Sequence, residues 1–144
     1  MADTPRIETL DVLTDADAAA IEHLLGQLSS SAVYDRARIE LMLRHDATEL
    51  LVSRLNGRIV GMATLVSFPL PTGLRGFVED VVSHESVRGQ GVGRGLLTAM
   101  IDIAVARGFR SLELTSRPSR EAALRLYESV GFVRRDTNVL RFTP

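Results

Sequence analysis

Residues 87–95 read VRGQGVGRG, which puts glycine at positions 89, 91, 93 and 95. Each glycine costs a helix interior up to about 1 kcal/mol, so four at alternate positions imply backbone that turns sharply or closely approaches a ligand. A β-rich run, Leu74–Ser83, precedes this stretch, and Val92–Arg107 follows with Val92, Leu96, Met100 and Ile103 among its apolar residues at helical spacing. The chain must therefore pass from strand to helix through a turn that leaves its N–H groups uncovered. Successive N–H groups at a helix N-terminus, aided by the helix dipole, form a cradle for a phosphate or diphosphate. Arg88 and Arg94 add positive charge at its rim. The positions five after Gly89, Gly91 and Gly93 are Arg94, Leu96 and Thr98, so the spacing is not GxGxxG and a Rossmann dinucleotide site is disfavoured. A tightly packed turn without a ligand is the alternative on the glycines alone.

The remaining pattern alternates strands and helices. Arg6–Val12 reads as a short strand, and Thr14, three residues before Asp17, caps an amphipathic helix carrying Ile21, Leu24, Leu25 and Leu28. Val33–Arg44 places Ile39, Met42 and Leu43 on one helix face. Leu50–Leu55 and Arg58–Phe68 form a hairpin through Asn56-Gly57. Arg110–Thr115 reads as a strand, Ser119–Val130 as a helix with Ser119 at its cap, and Phe132–Phe142 as one or two final strands. Gly108 and Gly131 stop the two later helices. The expected fold is one α/β (α+β) domain over residues 1–144, with helices on both faces of a mixed sheet. Leu74–Thr115 should be a right-handed crossover between parallel strands.

Composition narrows the chemistry. Net charge is −1 and pI about 6.3, so no bulk attraction to nucleic acid or anionic lipid is expected. The chain has no cysteine, which removes thiolate metal sites and thioester acyl-enzymes. All 17 Lys-plus-Arg positions are arginine, which excludes Schiff-base lysines and the Walker lysine. No apolar run approaches the roughly 18 residues of a membrane span, and MADTPRIETL lacks a signal-peptide pattern; a soluble cytoplasmic protein is the expectation. His23, His45 and His84 show no metal-ligand spacing, so no metal is expected.

Arg88, Gly91 and Gly93 fit R/Q-x-x-G-x-G/A, and with the preceding strand they resemble the acetyl-CoA-binding motif of the GNAT N-acetyltransferase superfamily. REAALRLYESVGF, residues 120–132, resembles a later helix of that superfamily, where alanine, leucine-tyrosine and glycine-phenylalanine recur at this spacing. The resemblance covers about half the chain, residues 74–143. One departure is Arg120, where many members carry an asparagine that contacts the pantetheine arm. The resemblance implies a mostly antiparallel mixed sheet of six or seven strands, splayed between the fourth and fifth. It also implies that acetyl-CoA pairs with Val81, Val82 and Ser83 and rests its pyrophosphate on Arg88, Gly89, Gln90, Gly91, Val92, Gly93 and Arg94, with Arg120 nearby. Homodimerisation is a further implication.

An amine with a pKa near 10.4 is mostly protonated at pH 7, and freeing its lone pair costs roughly 4–5 kcal/mol, so a base or a water chain ending in one is needed. Glu79 and Asp80 lie just upstream of the cradle, but adjacent strand residues face opposite sides unless a bulge turns the chain. Resemblance to polyamine acetyltransferases favours Glu79 as base and Asp80 as substrate ligand. Expelling the thiolate of coenzyme A calls for an acid, and the resemblance places Tyr127 beside the sulfur; a tyrosine that only packs is the alternative. A backbone N–H near Val81 or Val82 is the expected donor to the thioester oxygen.

Arg117 and Arg125 are additional candidates for nucleotide phosphates, and Thr137 and Asn138 for the acceptor pocket. The expected activity is direct acetyl transfer from acetyl-CoA to a primary amine of a small molecule. The alternative is an acyl-CoA-binding sensor or regulatory module without turnover.

Overall fold

The computed structural model describes residues 4–144. In chain order the elements are β1 (Arg6–Thr9), α1 (Asp15–Leu28), α2 (Arg36–Arg44), β2 (Thr48–Leu55), β3 (Arg58–Leu70), β4 (Gly73–Ser83), α3 (Val92–Ala106), β5 (Ser111–Glu113) and α4 (Glu121–Ser129). The five strands form one sheet in sequence order, antiparallel from β1 to β4 and parallel between β4 and β5.

Local chemistry sets the boundaries. The Thr14 side chain accepts from Asp17 N–H at 3.2 Å, and Asp35 does the same for Arg38 at the start of α2. Asn56 and Gly57 both have positive φ, 53° and 78°, the mirror-image turn that a two-residue hairpin needs. β3 runs through Pro69 to Leu70 instead of stopping at Phe68, because Pro69 still faces Leu74 in register before a two-residue turn. The cap of α4 is Arg120, without a side-chain bond, in place of the expected Ser119.

The sheet carries a core on each face. Leu50 and Val52 of β2 pack with Ile21 and Leu24 of α1 and Ile39 of α2, while Leu51 between them packs on the opposite side with Leu96, Leu97 and Met100 of α3. Strand alternation thus supplies both cores from one strand. Asp17, 7% exposed, joins α1 to β2 through two bonds from Arg54, at 2.8 and 2.7 Å. Glu8 of β1 holds the same guanidinium.

Among the described residues no strand follows Phe132, which leaves five strands where six or seven were expected. The apolar side chains of this tail remain in water: Val133, Val139, Leu140 and Phe142 are 75–91% exposed. A strand whose apolar side chains remain in water gains nothing to offset the entropy of ordering it.

Candidate active site

β4 pairs with β3 over nearly its whole length, but with β5 only at Arg75–Ser111, Gly76–Leu112 and Phe77–Glu113. Beyond Phe77 the other edge of β4, residues 78–83, has no strand beside it, and β5 ends at Glu113. Alternate residues of that edge direct backbone N–H and C=O groups away from β3, where a ligand can reach them; Ser83 O among these residues already accepts from the Gln27 amide at 3.2 Å.

In the middle of this edge β4 carries a bulge. Met62 faces Val82 and Thr64 faces Glu79, so Asp80 and Val81 together oppose Ala63. Asp80 sits at φ 54°, in the left-handed region, where aspartate is one of the few tolerated non-glycine residues. The bulge changes which face each residue meets. Val78 belongs to the α3 core and Val82 to the α1 core, although four residues apart in a regular strand they would share a face. Glu79, next to Val78, therefore points to the α1 side, and Val81 packs on the α3 side. Glu79 retains contact with solvent, yet the surrounding protein desolvates its carboxylate and raises its pKa; the adjacent Asp80 charge raises it further. A carboxylate shifted this way is a better proton acceptor near neutral pH.

After β4, a three-residue 3-10 turn, Glu85–Val87, leads into the glycine stretch. α3 starts at Val92 with Gly91 as its N-cap at φ 80°, and no side chain caps its first N–H groups. Only glycine takes this φ without strain, and a Cβ built on Gly91 meets nothing within 4 Å. The space above the helix N-terminus is open. Gly89, Gly91, Arg88, Gln90 and Arg94 are exposed, whereas Val92 is buried in the α3 core. The Arg94 guanidinium does not turn to the rim; its Nη2 donates to Ser129 Oγ at 2.8 Å, tying α3 to α4.

That tie places α4 beside the cradle. Leu126 Cδ2 lies 3.4 Å from where a Cβ on Gly93 would be, and Ser83 Oγ lies 3.8 Å from the same point. Tyr127, the next residue on α4, is 7% exposed, packs in the α3 core and stands edge-on to Phe132 at 6.3 Å. Arg120, at the N-cap of α4, is exposed, as are Arg117, Arg125, Thr137 and Asn138.

Sequence reasoning missed Ser116. It lies on the segment between β5 and α4, and its hydroxyl is buried without a hydrogen-bond partner. Such an orphan costs about 1–3 kcal/mol unless a partner arrives, and among the described residues Ser53 Oγ, within β2, is the other one. Nothing in TSRPS distinguishes this serine from any loop serine; only the folded chain shows its burial. The uncapped α3 amides, the open space over Gly91 and the unpaired outer edge of β4 suit a long ligand that carries both a diphosphate and amides.

A bulged, half-paired strand followed by a glycine-capped helix is the backbone arrangement that the chain's family has to account for. Residues 13–132 match the model of the Acetyltransferase (GNAT) family, and the chain belongs to that family. A glucosamine 6-phosphate N-acetyltransferase of Trypanosoma brucei brucei is 34% identical over 131 residues, which cover 85% of this chain and 87% of that one. A putative acetyltransferase from Agrobacterium tumefaciens superposes with a TM-score of 0.85 at 25% identity, covering 96% of this chain and 99% of its own. A ribosomal-protein-alanine N-acetyltransferase from Brucella melitensis superposes with a TM-score of 0.76 at 27% identity, with 97% and 100% covered. The protein is thus a GNAT acetyltransferase, a family that uses acetyl-CoA, and its relatives differ in the acceptors they are named for.

Proposed function

We propose that the protein transfers an acetyl group from acetyl-CoA to a primary amine of a small molecule, by direct attack while both substrates are bound. The observation that carries this reading is the bulge at Asp80, which turns Glu79 to the α1 side of β4 on the stretch whose outer edge has no strand beside it, just upstream of the uncapped start of α3.

In this reading the N–H groups from Arg88 through Arg94 hold the pyrophosphate, and Val81, Val82 and Ser83 pair with the pantetheine amides. The Ser116 hydroxyl gains its missing partner in the same channel. Arg94 acts through its backbone, since its side chain is engaged with Ser129. Glu79, or a water held by it, takes the proton from the attacking ammonium, and Asp80 attracts the cationic acceptor. A backbone N–H near Val81 or Val82 donates to the thioester oxygen as it gains charge. When the carbon–sulfur bond breaks, the Tyr127 hydroxyl gives its proton to the departing sulfur and later regains one from solvent. The products are an N-acetylated amine and free coenzyme A, with no acyl-enzyme, in keeping with a chain that has no cysteine.

The Trypanosoma relative makes an amino sugar phosphate the first acceptor to try. The test is release of coenzyme A thiol with glucosamine 6-phosphate, a polyamine, an aminoglycoside and a peptide N-terminus as acceptors. Turnover with a small primary amine is expected. Tight acetyl-CoA binding without turnover on the whole panel would favour a sensor instead.

A homodimer belongs to the same reading. The four exposed apolar side chains of the tail carry strand-forming residue types, and β5 has a free outer edge. A second copy of the chain is the occupant that brings the same tail and the same edge in reciprocal arrangement.

A further inference from the structure

On the α1 side of the segment that leads into the cradle, three metal-ligating side chains converge that the acetyl-transfer reading does not use. His23 Nε2, from α1, lies 3.0 and 3.2 Å from the two carboxylate oxygens of Glu85. His84 Nδ1 lies 3.8 Å from Glu85 Oε2. The two imidazoles stack, with centroids 4.7 Å apart and planes 18° from parallel. Ligand atoms of all three residues fall within 4.8 Å of one another.

From these positions we infer that His23, His84 and Glu85 form a site for a borderline divalent transition metal, zinc in the first instance. Two imidazoles and one carboxylate are a donor set that zinc accepts, with water completing the coordination. Donors sharing one tetrahedral zinc at Zn–N and Zn–O distances near 2.0–2.1 Å stand about 3.3 Å apart. His23 stands 3.0 and 3.2 Å from the two oxygens of Glu85, and His84 3.8 Å from one of them, near that value; the two stacked rings must turn out of their parallel arrangement for both nitrogens to face one ion. The backbone of the site is already fixed on both sides. Gln27, one turn along α1 from His23, donates to Ser83 O at 3.2 Å and accepts from Glu85 N–H at 3.4 Å. His84 Nδ1 now accepts from Ser86 N–H at 3.1 Å and contacts Ser86 Oγ at 2.7 Å. Ligation through Nδ1 exchanges that local bond for a link between α1 and the turn before the cradle.

Sixty-two positions separate His23 from Glu85, which is why no ligand spacing shows in the sequence. His23 and Glu85 are about half exposed, so the metal has access from solvent.

The experiment is calorimetric titration of zinc chloride into tag-free protein first stripped with a chelator, repeated with His23→Ala and Glu85→Gln and accompanied by thermal melts. Cobalt(II) absorption serves as the coordination readout. One-to-one binding is expected, weakened at least about tenfold by either substitution, since losing a ligand should cost no less than losing an outer-shell partner. Zinc should raise the Tm of the wild type and leave that of His23→Ala nearly unchanged. Both replaced side chains are on the surface, and circular dichroism confirms that the variants fold. If the wild type binds zinc no more tightly than His23→Ala, or cobalt(II) shows only its aqueous spectrum, the cluster is an ion pair only and the inference is overturned.

Discussion

Tyr127, Glu79 and Asp80 carry different amounts of their story in the sequence. Tyr127 was legible as a candidate because the residues around it follow a recurring pattern, and the structure adds that α4 is tied to the first turn of α3 through Arg94 and Ser129. Replacing Tyr127 by Phe keeps the edge contact with Phe132 and removes only the proton. Its kcat should fall by about 10²-fold or more with acetyl-CoA affinity nearly unchanged, as read by steady-state kinetics and calorimetry. An unchanged kcat with chemistry rate-limiting takes the hydroxyl out of the mechanism. For Glu79 and Asp80 the sequence posed a question it could not answer, because alternation forbids both from facing one site. The structure puts a bulge at Asp80 and turns Glu79 to the α1 side, and this was invisible beforehand because a positive φ on aspartate accompanies the register shift against β3 and is marked by no turn motif. Burial raises the Glu79 pKa, and a base acts only when ionised. The acid limb of kcat/KM should therefore be displaced upward from the ordinary glutamate value, activity falling as pH drops through it, and Glu79→Gln should abolish that limb. A limb that persists in Glu79→Gln assigns the base elsewhere.

Among the elements, those whose ends are set by local chemistry were legible. The Asn56-Gly57 hairpin, the Thr14 cap and the start of α3 at Val92 stand where residue type placed them. Ser119 failed as a cap because α4 begins one residue later than a Ser119 cap requires. The junction of α1 with β2 was equally hidden, since Asp17 and Arg54 meet across 37 positions. Hydrogen bonds from Arg54 outweigh desolvation and hold the Asp17 pKa below its ordinary value. Because the folded value is the lower one, this ion pair adds stability above the ordinary aspartate range and loses it as pH falls through the folded pKa. Asp17→Asn should cost about 2 kcal/mol in urea unfolding at neutral pH, less than for a fully buried pair because Arg54 keeps Glu8. It should also flatten the loss of stability in acid. Equal acid sensitivity in the variant would show that other carboxylates dominate.

At the level of the whole molecule, the mixed sheet with a core on each face follows from alternation that the sequence displays, the strand order comes from the structure, and the fate of the tail depends on what lies outside one chain. Val139, Leu140 and Phe142 have strand-like character yet lie exposed to solvent. Light scattering should report a dimer, and Leu140→Glu with Phe142→Glu should shift it toward monomer; a monomeric wild type removes the second copy as the tail's partner.

The proposed mechanism rests on the uncapped amides at the start of α3, where a Cβ on Gly91 would meet open space. Calorimetric titration of acetyl-CoA into the wild type and Gly91→Glu, both verified as folded, probes that arrangement. Saturable binding by the wild type and its loss in the variant, where a negatively charged side chain is introduced beside the diphosphate position, is the expected result. Equal affinity in the two proteins would place the coenzyme elsewhere and contradict the mechanism built on the cradle.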